Sequence, residues 1–139
     1  MADLQPRPLP TPTPETAHFW EGTRNGEIRL QRCLDCDRTY FPSRPFCPAC
    51  GSKNVEVVTA SGRGTLLSYV INHRRHPSFD GPYCIALVKL EEGPTMMSNI
   101  VECEQTPDAL VLDMPLQAVF ERQNDEISVP LFKPAEQSA

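Results

Sequence analysis

The sequence predicts a mainly β protein: an N-terminal helix, a small metal ribbon and a five-stranded barrel of the OB type. Three observations predict it. Two close cysteine pairs, Cys33-Leu34-Asp35-Cys36 and Cys47-Pro48-Ala49-Cys50, stand a short hairpin apart. Downstream, five segments rich in branched and aromatic residues are bounded by Gly, Pro, Asn or Asp, the marks of strands. Between the third and the fourth, Thr106-Pro107-Asp108-Ala109-Leu110 combines a capping threonine, a first-turn proline and an acidic residue, which predicts a short helix. Three strands, a helix and two strands is the order of an OB-fold.

The elements follow in chain order. Residues 5–14 place proline at every second position, which removes donors and fixes φ, so this arm is extended. It is either a disordered leader or a strip laid along a partner. Thr13-Pro14-Glu15 reads as a helix start, with Thr13 as cap, and the helix ends near Gly22 or Asn25-Gly26. Thr16, Phe19, Trp20 and Thr23 share one face. Phe19-Trp20 docks on this chain's own ribbon or on another subunit. Glu27–Gln31 enters the first knuckle as a strand, and Thr39-Tyr40-Phe41 leaves it. Tyr40, Phe41 and Phe46 are expected to shield the sulfurs from water. Ser61-Gly62-Arg63-Gly64 reads as a flexible hinge. The barrel strands are Thr65–Asn72, Tyr83–Leu90, Thr95–Val101, Leu116–Glu121 and Ile127–Phe132. The expected units are 1–26 (arm and helix), 27–59 (ribbon), 60–134 (barrel) and 135–139 (a disordered tail).

The knuckle spacing lets both thiolates of a pair point at one ion, and two knuckles close a tetrahedral site on Cys33, Cys36, Cys47 and Cys50. With every ligand position filled by sulfur, no place is left for a reactive water, so the metal is structural. Four thiolates hold iron as well as zinc. Gly51, and Asp37 at the matching place in the first knuckle, are expected at positive φ. The ribbon has few large aliphatics, and a segment so short cannot bury enough apolar surface to fold alone. Metal supplies what the core lacks: structural zinc contributes about 10–16 kcal/mol of apparent folding free energy in finger-like peptides.

The net charge of -5 opposes a dedicated nucleic-acid binder. Charge is uneven, however: residues 1–75 carry +3 and residues 76–139 carry -8, a split that permits a local anion site. No apolar run reaches membrane-spanning length. The start, Met1-Ala2-Asp3-Leu4, shows no targeting pattern, so a cytoplasmic protein is expected. We find no nucleophile elbow and no phosphate loop. Cys84 lies on an apolar strand and reads as a core thiol. Cys103 stands between Glu102 and Glu104, whose charges would raise its pKa. His18 has no partner near it in sequence. The cluster His73-Arg74-Arg75-His76 sits between the first two barrel strands, beside the usual ligand face of an OB-fold.

The chain resembles a known family on several stretches: Phe19-Trp20-Glu21-Gly22, Gln31-Arg32-Cys33 with Cys36, Phe41–Gly51, Gly62-Arg63-Gly64-Thr65, Ala86–Leu90 and Ile127–Pro134. This is the acyl-CoA-associated family that joins a rubredoxin-like zinc ribbon to an OB-fold, long catalogued as a domain of unknown function. Asp37 and Ser43 depart from its common glycine and proline, and neither is a ligand. The resemblance implies structural Zn2+ and a non-catalytic accessory subunit, binding a thiolase-like enzyme of aldolase or acyltransferase type, some of which act in steroid side-chain catabolism. It implies a hetero-oligomer built on a partner dimer, a component of an acyl-CoA lyase or transferase complex. A hot-dog-fold enoyl-CoA hydratase is the alternative partner. With a CoA thioester as ligand, Arg63, Arg74 and Arg75 are the candidates for its phosphates. Two further readings are single-stranded nucleic-acid binding by the OB-fold, opposed by the acidic barrel half, and electron transfer, opposed by the short gap between knuckles.

Overall fold

The computed structural model of the chain describes residues 4–135. The described residues form one helix, α1 (Ala17–Arg24), and eight strands. The ribbon strands are β1 (Arg29–Cys33), β2 (Thr39–Tyr40) and β3 (Val55–Thr59), in the order β2-β1-β3. The barrel strands are β4 (Arg63–Asn72), β5 (Tyr83–Leu90), β6 (Thr95–Ser98), β7 (Pro115–Arg122) and β8 (Ser128–Pro134), in the order β6-β5-β4-β7-β8. All these pairings are antiparallel.

The sheet curls because its two edges meet. Ile100, just past β6, makes a parallel bridge to Phe132 on β8. Phe132 N–H donates to Asn99 O at 3.1 Å, and Val101 N–H donates to Phe132 O at 2.8 Å. A sheet closed on itself satisfies edge groups that would otherwise stand open. The five barrel segments are those expected. The third is shorter, ending at Ser98, because beyond it the chain turns from the β5 ladder to the seam with β8.

Three expectations need correction. Residues 106–110 form a single turn, not a helix: Ala109 and Leu110 N–H groups donate to Thr106 O, and the chain then leaves. The helix begins later than Thr13, which instead shares hydrogen bonds with Thr16 in a preceding turn. Its end at Arg24 is as expected, and Gly26 just beyond it has a positive φ of 75°. The segment 61–64 is no slack hinge. Ser61 N–H donates to Glu92 Oε2 at 2.7 Å, and Arg63 Nε lies 3.7 Å from Glu91 Oε2. Glu91 and Glu92 therefore pin the ribbon–barrel connection.

Ribbon and barrel share one core. Ile28 and Leu30 from the ribbon, Phe19 from α1, and Leu66, Val88, Leu116 and Phe132 from the barrel form one buried cluster. Phe19 is thus an internal residue, packed 5.4 Å from Phe41 ring to ring, while its neighbour Trp20 stays half-exposed. Among the described residues no helix is long and apolar enough to cross a membrane. Of the expected tail, Ala135 bonds to Pro115 O, and 136–139 lie outside the described residues, as do 1–3 of the start.

Candidate metal centre and arginine loop

The two knuckles are built alike. Cys33 N–H donates to Arg38 O and Cys47 N–H to Ser52 O, both at 2.8 Å. Asp37 N–H returns to Cys33 O at 2.9 Å, and Gly51 N–H to Cys47 O at 2.8 Å. Each loop must therefore reverse within two residues of its second cysteine. Asp37 at φ 65° and Gly51 at φ 77° supply the left-handed turn, as expected. Asp37 also pairs with Arg32. Asp35, inside the first knuckle, accepts hydrogen bonds from Ser52 and Asn54 beside the second; these bonds hold its carboxyl below the usual range and tie the knuckles together.

The four sulfurs lie within 4.8 Å of one another, with Cys33–Cys50 at 3.6 Å and Cys36–Cys47 at 3.5 Å. Sulfurs about 2.3 Å from a central zinc in a tetrahedron would stand about 3.8 Å apart, so the cage fits the ion. Backbone amides face the sulfurs: Cys36 N–H reaches Cys33 Sγ and Ala49 N–H reaches Cys47 Sγ, both at 3.4 Å. The electrostatics fit as well. Amides of Cys50 and Ala49 pull the Cys47 thiol down to about 6. At Cys36 the Arg38 amide acts the same way, but the neighbouring sulfur of Cys47, burial and the other two cysteines outweigh it and push the thiol up to about 12. Four thiolates this close ionise together only around a cation, and a divalent metal supplies that charge.

Of the three aromatics expected as a shield, Tyr40 does the work. It is buried, and burial together with the charge of Cys47 and Cys33 raises its pKa. Its hydroxyl donates to Arg44 O at 3.0 Å. Phe41 turns towards Phe19 instead, and Phe46 is 42% exposed. Gln31 adds a support that the sequence did not single out: half of its amide, Oε1, accepts from Arg44 N–H at 2.7 Å.

Outside the cage the expected groups separate. Arg63 and the pair Arg74-Arg75 sit at opposite ends of β4, about 30 Å apart for a strand of this length. They do not form one cluster. Arg74 and Arg75 are exposed, and Arg75 borders a cavity of about 430 Å³ with His76, Phe79 and Asp80. Cys84 is fully buried, bonded through sulfur to Ile100, with its pKa raised by burial. Cys103 is also raised, but by burial and then by Cys84, not by the flanking glutamates. His18 meets Ser43 at 3.4 Å, a partner invisible in sequence.

A second hollow, about 470 Å³, lies where α1, the ribbon and the barrel meet, and Trp20, Phe41, Tyr83, Met96 and Met97 line it. Beside it the strand register places Val70, Ile85, Leu87 and Met97 on one outward face. Val70 is 61% and Met97 69% exposed, so this face is apolar and open.

Comparison with known proteins agrees with this architecture. The family described as the rubredoxin-like zinc ribbon domain of ChsH2 matches residues 20–56, and the C-terminal OB-fold domain of ChsH2 matches 57–121. A probable enoyl-CoA hydratase alpha subunit from Thermomonospora curvata is 35% identical over 130 residues, covering 93% of this chain; the chain spans only 40% of that protein. A DUF35 domain-containing scaffold protein from Pyrococcus furiosus is 36% identical over 123 residues, covering 86% of this chain and 90% of that one. The benzoylsuccinyl-CoA thiolase subunit BbsA of Thauera aromatica is 28% identical over 107 residues, covering 72% and 74%. Among solved structures, a chain of an Ltp2-ChsH2(DUF35) aldolase superposes with a TM-score of 0.80 at 33% identity, covering 91% of this chain and 98% of that chain. A knuckle pair whose four sulfurs could hold a metal, leading without a break into an OB barrel and matched by such relatives over nearly its whole length, places this chain in the DUF35 family of ChsH2-type zinc-ribbon and OB-fold proteins.

Proposed function

We propose that this chain is an accessory, non-catalytic subunit that binds a thiolase-like enzyme of aldolase or acyltransferase type and supports its action on acyl-CoA thioesters, steroid side-chain esters among them. The observation that carries the reading is the 33% identity, over 91% of this chain, to a chain of the Ltp2-ChsH2(DUF35) aldolase. The likeness to a thiolase subunit supports it independently. The open apolar face of β4, β5 and β6 offers the kind of surface that soluble monomers rarely leave bare. The assembly is a hetero-oligomer built on the partner's dimer. Its setting is the reducing cytoplasm, where thiolates persist as metal ligands.

Zinc is structural in this reading and takes no part in chemistry. Arg74 and Arg75 hold CoA phosphates from the β4–β5 loop, since guanidinium groups match phosphate oxygens in pairs. Arg63, already beside Glu91 at the far end of β4, would serve only a second contact.

Co-expression with a thiolase-like protein tests the reading. The two should elute together on a sizing column, and the complex should outpace the enzyme alone. Separate elution, with full activity in the lone enzyme, overturns it. Within the complex, Arg74→Ala with Arg75→Ala should raise KM for the CoA ester several-fold without parting the subunits; unchanged kinetics return those side chains to solvent. A second reading, as part of an enoyl-CoA hydratase, is favoured by the Thermomonospora curvata relative. Co-elution with a hot-dog-fold protein in place of the thiolase-like one would select it.

A further inference from the structure

Of the seven arm residues Leu4–Pro10, Arg7 is the one that is half-buried. Its guanidinium carbon lies 4.8 Å over the ring of Phe79, in the β4–β5 loop. On its other side Phe79 stacks on Tyr83, with centroids 3.9 Å apart and planes 10° from parallel. His76 meets both rings edge-on, at 5.2 and 5.7 Å. Two backbone contacts fix the arm along the same loop: Gln5 N–H donates to Pro77 O at 2.7 Å, and Ser78 Oγ donates to Pro6 O at 3.3 Å. The polyproline stretch Pro8–Pro14 connects this anchor to α1 as a semi-rigid spacer.

The loop needs such an anchor. Between Asn72 and Tyr83 its internal order rests on a few bonds, chiefly Ser78 N–H to His76 Nδ1 at 3.0 Å and Phe79 N–H to His76 O at 3.3 Å. Arg74 and Arg75 project from its start. A loop of this length that loses its fixed end gains many conformations, and two guanidiniums then no longer share one geometry.

We propose that residues 4–7 are a strap that holds the β4–β5 loop in one form, with Arg7 as the latch on Phe79, and that the strap thereby positions Arg74 and Arg75. Arg7 acts through the loop and touches no substrate. The second half of the proposal rests on the reading that these two arginines bind CoA phosphates; the first half stands without it.

The chain itself reports on the strap, because trypsin cuts after Arg74 and Arg75 only when the loop opens. In Arg7→Ala, cleavage there and amide hydrogen exchange over residues 73–82 should rise roughly two- to fivefold, the range expected for one exposed cation–π contact. Deletion of residues 2–7 should raise both further. Zinc content and exchange in β4 and β5 should stay constant, and Arg7→Lys should recover part of the protection. Unchanged cleavage and exchange in both the point variant and the deletion overturn the strap. Faster cleavage with an unaltered KM for the CoA ester in the complex keeps the strap and overturns its positioning of Arg74 and Arg75; the phosphate reading is then judged separately, by the KM of Arg74→Ala with Arg75→Ala. Faster cleavage with a raised KM supports both.

Discussion

Gly64 shows how a single position can decide a strand. A Cβ built there would lie 2.7 Å from Lys89 O and 2.8 Å from Val88 Cγ1, inside any permitted contact. The neighbour is β5 backbone, paired with β4 at Gly64–Leu90, so it cannot swing aside. Gly64→Ala should destabilise the barrel by about 1–3 kcal/mol, the usual cost of forced overpacking, read as a lower denaturant midpoint with an unchanged slope. His18 makes a different single-residue case. Burial first, and then the charge of Arg29, lower its pKa from 6.5. Above 6.5 the imidazole is neutral in folded and unfolded chains and contributes nothing. As pH falls below that value the unfolded chain gains the proton first, so stability is lost until the folded group also titrates. His18→Gln should therefore remove a part of the acid sensitivity: the stability difference between variant and wild type should be constant from pH 8 to 7 and shift in the variant's favour towards pH 5. Urea titrations at each pH measure it.

At the scale of elements, the ribbon is three short strands around a cage. The strongest of its pairings, β1 with β3, spans five residue pairs, and β1 with β2 only two. So little hydrogen bonding and apolar burial cannot hold a sheet whose sulfurs repel. Metal closes the gap, because about 10–16 kcal/mol of apparent zinc binding rivals the whole stability of an ordinary domain, about 5–15 kcal/mol. Chelation of the ion, or Cys47→Ala, should melt β1–β3 and lower the thermal midpoint by more than about 10 °C. Differential scanning calorimetry with parallel metal analysis checks it; a metal-free chain with the wild-type midpoint would contradict it. The cysteines and the barrel strands were legible in the sequence because their signals are local: spacing, branched residues and turn residues at the borders. The end of β6 was not, since a seam with β8 took over three residues earlier than the apolar run suggested. The turn at 106–110 carried a good start signal, but Gln105 and the following loop are occupied elsewhere, with Gln105 bonded to Cys84 N–H and Ile100 O.

Over the whole molecule, the features hidden from sequence are those that join distant segments. Nothing local connects Arg7 with Phe79, His18 with Ser43, or Ser61 with Glu92. The common core is of the same kind. Period and composition told which residues are apolar, but not that Ile28 and Leu30 of one sheet would meet Leu66 and Phe132 of the other. Phe41 and Phe46 illustrate the loss: aromatic residues flanking a knuckle look like a lid, and only the packing of α1 decides that Phe41 belongs to Phe19.

That common core limits how far natural or designed chimeras can mix these parts. The join between the two family descriptions falls at residues 56–57, within β3 (Val55–Thr59), so a cut there severs a ladder. A ribbon transplanted from a relative would load its ion on any four correctly spaced thiolates. It would still sit badly on the host unless the side chains at 19, 28 and 30 travelled with it. Compatibility between donor and host is thus written in the hydrophobic side chains of the shared core, not in the metal ligands.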